Sequence, residues 1–311
     1  MDSVGVRWKI VTGFGGHIRA TPTELRILYK GEEEIIPLSA VRHLLIMGGH
    51  TMHTSVVIHL LRAGAMVTFF DPDGIPVGTL RPFGVTDDEV VRSAQESTLT
   101  HMYGVEIAQA SLKSRLLALE NAQKEVGRTL FYEGEQDVLF QALDQFEFLI
   151  KLEELRRLHS LALNMYYEIM ARSLPPELGF VRRTRRPHTD PVNAMLSLGY
   201  AVLFGACSRS LIGAHLDPDL GVMRQGPRSL ILDFMDPLKP RMVDEVVFAV
   251  AREGISKDEY ECSTTRCHLS DSLVARVVPR LHQSIKVDCI DSNTTSYLCS
   301  LLHHEDFQIR Y

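Results

Sequence analysis

The chain of 311 residues is defined first by what it lacks. It has no uninterrupted apolar run of the roughly 18 residues that crossing a bilayer requires, so no membrane partner is expected. Its start, MDSVGVRWKIVTGFGG, has no basic stretch followed by an apolar one, and no signal peptide is read there. Cysteine is scarce and odd in number. Cys207, Cys262, Cys267, Cys289 and Cys299 follow no regular framework, which points to free thiols in a reducing, cytoplasmic setting. An excess of positive charge is missing too: 33 Lys and Arg against 39 Asp and Glu leave −6. Bulk basicity is therefore not the binding device, and any surface for nucleic acid must be local. There is no GxSxG nucleophile elbow. The glycine run Gly13–Gly16 is not followed by Lys-Ser/Thr, so it reads as a hairpin turn rather than a phosphate loop. Cys262 and Cys267-His268 lack the second pair that a structural zinc site needs. Internal repeats and low-complexity segments are absent.

What remains is a globular composition, 45% hydrophobic and 23% charged, in a chain long enough for two cores. Residues 1–82 read as β-rich. Short apolar or alternating segments such as VRWKIVT, ELRILY, HLLIMG and MVTFFD are separated by Gly, Pro and Asp, with one helical stretch at 54–64. Such a unit would pack two sheet layers, sandwich-like, with a helix at one edge. Residues 83–311 change character. Helix formers fill 87–125 and 135–172, and Asp190-Pro191 supplies a cap and a first-turn proline for a helix to about 214. Further helices are expected at 240–252 and 270–285. The fold class is α+β, a β-rich N-terminal domain followed by an all-α C-terminal one.

Two clusters could carry chemistry. Arg182, Arg183, Arg185 and Arg186 fall within five positions, and a loop of guanidinium groups can grip phosphates. The plainer alternative is a solvated loop with one or two ion pairs. Asp233 and Asp236 lie three apart in the apolar run SLILDFMDP, on one face if that run is helical. Buried carboxylates need a metal, an arginine or a helix N-terminus, so the pair is either the edge of an active site or an ion pair joining helices. Lys239 and Arg241 follow as a second pair of candidate phosphate contacts. His50 with His53, and His303 with His304, form no metal motif.

The chain resembles the CRISPR spacer-acquisition integrases, the family called CRISPR-associated protein one. The resemblance rests on GAMVTFFDPDGIPVGTLRP, then FVRRTRRPHTDPVNAMLSLGYAVL, HLDPDLGVM and SLILDFMDPLKPRMVDEVV in that order. It implies a homodimer paired through the N-terminal domain, a helical domain bearing the active site, double-stranded or branched DNA as ligand, and CRISPR-associated protein two as partner. It also implies a divalent ion, Mg²⁺ or Mn²⁺, held by a Glu, a His and an acidic residue. The acidic position corresponds to Asp236, with Asp233 beside it. The His position, three past Gly221, holds Arg224. The Glu position, seven before Tyr166, holds His159. Glu153 and Glu154 project at a large angle from His159 on a helix and do not stand in for it. An arginine brings a fixed cation to the place of the metal and can pair with an aspartate bidentately. The resemblance with these departures implies a DNA-binding dimer with a degenerate metal site, a scaffold or regulator beside an active paralogue. Two alternatives stay open: an active metal-dependent endonuclease and integrase using His159, Asp233 and Asp236, and a protein-interaction module with no nucleic-acid role.

Overall fold

A computed structural model describes residues 8–71, 74–82, 87–98, 100–184, 188–263 and 267–311. The chain divides into two compact units. The first comprises Met1–Thr98, Phe204–Leu220 and Ile290–Asp306, and the second Leu99–Leu203, Gly221–Cys289 and Phe307–Tyr311.

The first unit is built on strands β1 (Trp8–Ala20), β2 (Glu24–Tyr29), β3 (Glu32–Pro37), β4 (His43–Met52), β5 (Met66–Phe70) and β6 (Pro76–Leu80), with helices α1 (Thr54–Arg62) and α2 (Asp87–Ser97). The β-rich character is as expected, but the strands form one mixed sheet, in the order β3-β2-β1-β4-β5-β6, rather than two sheet layers. Topology gives the reason. β4 and β5 are parallel, and parallel neighbours need a crossover, which α1 supplies. The apolar face of α1, Val56 and Leu60, then closes a core with Val11, Ile18, Leu25, Leu44, Ile46 and Val67, in the place a second sheet would fill.

Gly13–Gly16 is not a hairpin turn. It lies inside β1, where the register against β4 shifts between Phe14 and His17. Two expected strands are thus one bulged strand. Glycine permits the irregularity: Gly13 has φ +98° and Gly48 opposite it φ +90°, and a Cβ on Gly48 would stand 2.1 Å from the Gly13 carbonyl oxygen.

The second unit is mainly helical. The remaining helices of the chain are α3 (Thr100–Val126), α4 (Glu135–Gln145), α5 (Leu152–Ala171), α6 (Pro191–Gly213), α7 (Ser229–Lys239), α8 (Glu245–Glu253), α9 (Asp271–Ser284) and α10 (Val287–His303). α6 and α10 each contribute residues to both units. α6 is long and apolar enough to cross a membrane by length and composition, yet most of it is buried inside the protein, as a core helix is. Its start is capped as expected: the Asp190 carboxylate accepts the Asn193 backbone N–H at 2.7 Å. α7 runs through Pro237 into a π-helical turn at Pro240–Asp244 before α8. Pro240 has no N–H, so the Asp236 carbonyl loses its helical donor.

A ribbon of β7 (Tyr260–Cys262) and β8 (Cys267–Leu269) joins α8 to α9. The expectation of five free thiols is corrected here, because Cys262 and Cys267 form a disulfide. The two are direct cross-strand partners in the ribbon and this brings their sulfurs together. Cys207, Cys289 and Cys299 are free.

Candidate active site

The four positions His159, Arg224, Asp233 and Asp236 meet in the second unit, where α3, α5 and α7 pack and the loop from Gly221 to Arg224 closes over them. Asp233 and Asp236 occupy one face of α7, and neither has any exposed side-chain surface.

Asp233 organises the loop. Its Oδ2 accepts three successive backbone N–H groups, from Val222 at 2.8 Å, Met223 at 2.8 Å and Arg224 at 3.2 Å. Its Oδ1 accepts from Arg224 Nη1 at 2.7 Å. The loop must fold tightly to present those groups. The Gly221 N–H donates to Ser229 Oγ at 2.8 Å, and a Cβ at Gly221 would lie 2.5 Å from the Arg224 carbonyl oxygen and 2.6 Å from Ser229 Oγ. Only glycine fits that approach. Arg156, on α5, adds a third tie by donating from Nε to the Met223 carbonyl.

Asp236 is ringed by nitrogen. Oδ1 receives Lys239 Nζ at 3.0 Å and Arg115 Nη2 at 3.3 Å. Oδ2 receives Arg224 Nη2 at 3.1 Å and faces His159 Nε2 at 3.4 Å. Arg224 thus spans both carboxylates, one amino nitrogen to each, which places its planar fork across the face of α7. Arg115, 121 residues before Asp236, comes from α3 and is fully buried. Its Nη1 donates to the Asp236 carbonyl at 3.2 Å, replacing the donor that Pro240 lacks. It also donates to the Ser111 carbonyl and hydroxyl, and its guanidinium lies over the Tyr166 ring, 5.5 Å from the centroid.

The charge states follow from this ring. Burial pushes the Asp236 carboxyl up, but Lys239, Arg224 and Arg115 together outweigh it and hold the group well below the usual carboxylate range. At Asp233 burial prevails over Arg224, and the carboxyl is raised. Burial pushes His159 down to about 4, and Arg115, Arg224 and Lys239 push the same way, against Asp236. The imidazole is therefore neutral at pH 7. Ser111 Oγ accepts from Arg115 and lies within hydrogen-bond distance of His159 Nε2, at 2.9 Å. Ser111, His159 and Asp236 do not make a nucleophilic triad, because serine and carboxylate meet the same ring nitrogen.

A divalent cation does not fit this arrangement. Every oxygen of Asp233 and Asp236 already has a protein donor, and around these two carboxylates stand three cations, Arg115, Arg224 and Lys239. A dication here would meet uncompensated positive charge and would first have to displace Arg224. Among the described residues no group of three or more His, Cys, Asp or Glu side chains gathers as a ligand set.

The basic loop is more divided than its composition. Arg183 is turned inward: Nη1 donates to the Thr184 carbonyl and to Asn193 Oδ1, and Nη2 to Ser197 Oγ at 2.7 Å. Arg182 is exposed, with its carbonyl held by Asn193 Nδ2 at 3.0 Å. Arg185 and Arg186 lie outside the described residues. Lys239 is spent on Asp236, and the exposed Arg241 pairs with Glu245 at 3.5 Å. Sequence reasoning missed Arg115, Arg156 and Asp244. Arg115 carried a readable signal, a charged residue within SRLLAL, of the same kind that singled out Asp233.

Comparison with known proteins places these geometries. The family model described as CRISPR associated protein Cas1 matches residues 10–283. A Methanospirillum hungatei protein named as a CRISPR-associated endonuclease Cas1 is 36% identical over 298 residues, 96% of this chain and 98% of the relative. Among solved structures, a casposase bound to integration product superposes with TM-score 0.80 at 15% identity, covering 97% of each chain. A partial Cas6-RT-Cas1–Cas2 complex gives 0.74 at 19% identity, again over 97% of each chain. At those identities the two structures speak for the fold alone. The family model and the Methanospirillum relative go further: the chain belongs to the Cas1 family of CRISPR-associated proteins.

Proposed function

We propose that this protein serves CRISPR spacer acquisition as a DNA-binding member of the Cas1 family whose metal site is closed by its own side chains. In this reading it is cytoplasmic, it pairs as a homodimer through a β-rich domain at residues 1–82, and residues 83–311 meet double-stranded or branched DNA. The partner is a Cas2-type protein or an active paralogue, and the role is that of a scaffold or regulator. Arg182, Arg185, Arg186 and Arg241 are the phosphate contacts of this reading, since Arg183 and Lys239 are committed inside the protein. Mg²⁺ or Mn²⁺, the ions the family resemblance implies, would polarise a phosphodiester if bound. Here Arg224 and Lys239 hold the carboxylates such an ion would need.

The observation that carries the reading is the enclosure of Asp236 by Arg115, His159, Arg224 and Lys239. A strand-transfer and nicking assay on branched and repeat-containing DNA with Mg²⁺ or Mn²⁺ tests it. The wild type is expected to be silent, and the double substitution His159→Glu with Arg224→His is expected to gain activity. Wild-type activity that disappears in Asp236→Ala would overturn the closed site in favour of an active endonuclease and integrase.

A further inference from the structure

We infer that Arg156 is a phosphate-binding residue at the mouth of this site, its guanidinium presented to the backbone of a nucleic acid. The side chain stands on α5 three residues before His159, and so on the same side of the helix. Its Nε is tied to the Met223 carbonyl. That bond ties the group to the Gly221–Arg224 loop through Nε and leaves Nη1 and Nη2 for another ligand. Both Nη groups lack a partner among the described residues, and neither is a buried atom. A guanidinium held by Nε has one two-pronged edge left, which matches two oxygens of a phosphate.

Three other arginines of the same unit are spent. Arg115 serves Ser111 and Asp236, Arg183 serves Asn193 and Ser197, and Arg224 serves Asp233 and Asp236. Arg224 nonetheless keeps a third of its side chain in solvent, and it follows the carbonyl that anchors Arg156. Two guanidinium groups therefore share one short loop, one neutralised by carboxylates and one free for an anion. Glu153 lies a turn earlier on the same side of α5 but makes no ion pair with Arg156, so it does not occupy the guanidinium.

This inference rests on the DNA-binding reading above, and the test separates their failures. Fluorescence anisotropy would follow a labelled branched duplex binding to the full chain across a salt series. Wild type, Arg156→Gln, Arg156→Lys and Arg157→Gln would be compared, the last exposed and about 100° further round α5. Arg156→Gln is expected to weaken binding severalfold and to lower the slope of log affinity against log salt by about one. Arg156→Lys should restore that slope but only part of the affinity, and Arg157→Gln should keep the wild-type slope. A folded Arg156→Gln with the wild-type slope would overturn the inference, since a residue that merely ties the loop does not change the number of phosphates neutralised. Should that variant not fold, modification of wild-type arginines by phenylglyoxal decides: DNA is expected to protect Arg156, and equal modification with and without DNA overturns the assignment. Absence of any DNA binding by the wild type at low salt would instead remove the reading on which it rests.

Discussion

Asp236 and Asp244 lie two turns apart on one continuous run of helix, and both are wholly buried. They solve the same problem in opposite ways. Asp236 is met by Arg115, Arg224 and Lys239, which hold its carboxyl well below the ordinary range although burial pushes up. Asp244 is met by hydroxyls: Tyr200 donates at 2.6 Å and Tyr166 at 3.1 Å, and Tyr167 bonds to Tyr200 at 2.7 Å. There burial prevails over the Tyr200 bond and the carboxyl is raised. Neutral donors satisfy lone pairs but do not cancel a charge, whereas cations do both. The first aspartate is a permanent anion that three helical segments are built around. The second is a hydrogen-bonded hub whose charge is optional.

The comparison breaks most visibly at Asp236. Asp236→Ala leaves Arg115 and Lys239 buried without a counter-charge and frees Arg224 from half of its fork. Removing one partner from a buried ionic group costs about 3–5 kcal/mol. Urea denaturation is expected to show a loss of that order, with Asp236→Asn in between. A loss below about 1 kcal/mol, the range of exposed pairs, would mean that water already screens the cluster.

His159 gives the next effect, through pH. Its folded value of about 4 lies below the ordinary 6.5, because burial and the three cations reject a fourth positive charge. Between pH 4 and 6.5 the unfolded chain binds the proton and the folded chain does not, so stability rises with pH across that window. The whole step is about 3 kcal/mol at one pH unit per 1.36 kcal/mol. Asp244 works in the opposite direction, since a raised carboxyl makes stability fall as pH rises from the unfolded value toward the folded one. The difference between wild type and His159→Gln isolates the histidine. Melting temperatures recorded from pH 4 to 7 should rise less steeply with pH in the variant. Parallel curves would show that the imidazole reaches water.

Much of this site was legible in the sequence, and the rest was hidden by distance along the chain. Asp190-Pro191 marked the start of α6 through local capping chemistry, and the spacing of Asp233 and Asp236 put them on one face. The family resemblance, counting three residues on from Gly221, led to Arg224, whose guanidinium pairs with both carboxylates. Arg115 could not be paired from sequence: its partner is 121 residues away, and only the packing of α3 on α7 joins them. The inward turn of Arg183 is likewise a tertiary event, set by Asn193 and Ser197 on the next helix. Among strands, the bulge at Gly13–Gly16 looked like a turn, since glycine serves both and only pairing with β4 separates them.

The smallest effect, and the sharpest control, belongs to Asp244. Asp244→Asn keeps an acceptor oxygen for the Tyr200 and Tyr166 hydroxyls while removing the charge. The new amide N–H₂ replaces one carboxylate oxygen, and a tyrosine hydroxyl can turn to accept from it because its rotor is free. One hydrogen bond is weakened, none is left without a partner, and a buried charge is no longer carried. These terms oppose each other, so the net loss should be about 1 kcal/mol or less. Asp236→Asn, chemically the same change, should cost several times more, because its neighbours are cations that cannot turn round to accept. If the two asparagine variants lose equal stability, then Arg115 balances Asp244 as much as Asp236, and the two aspartates form one ionic cluster rather than two sites.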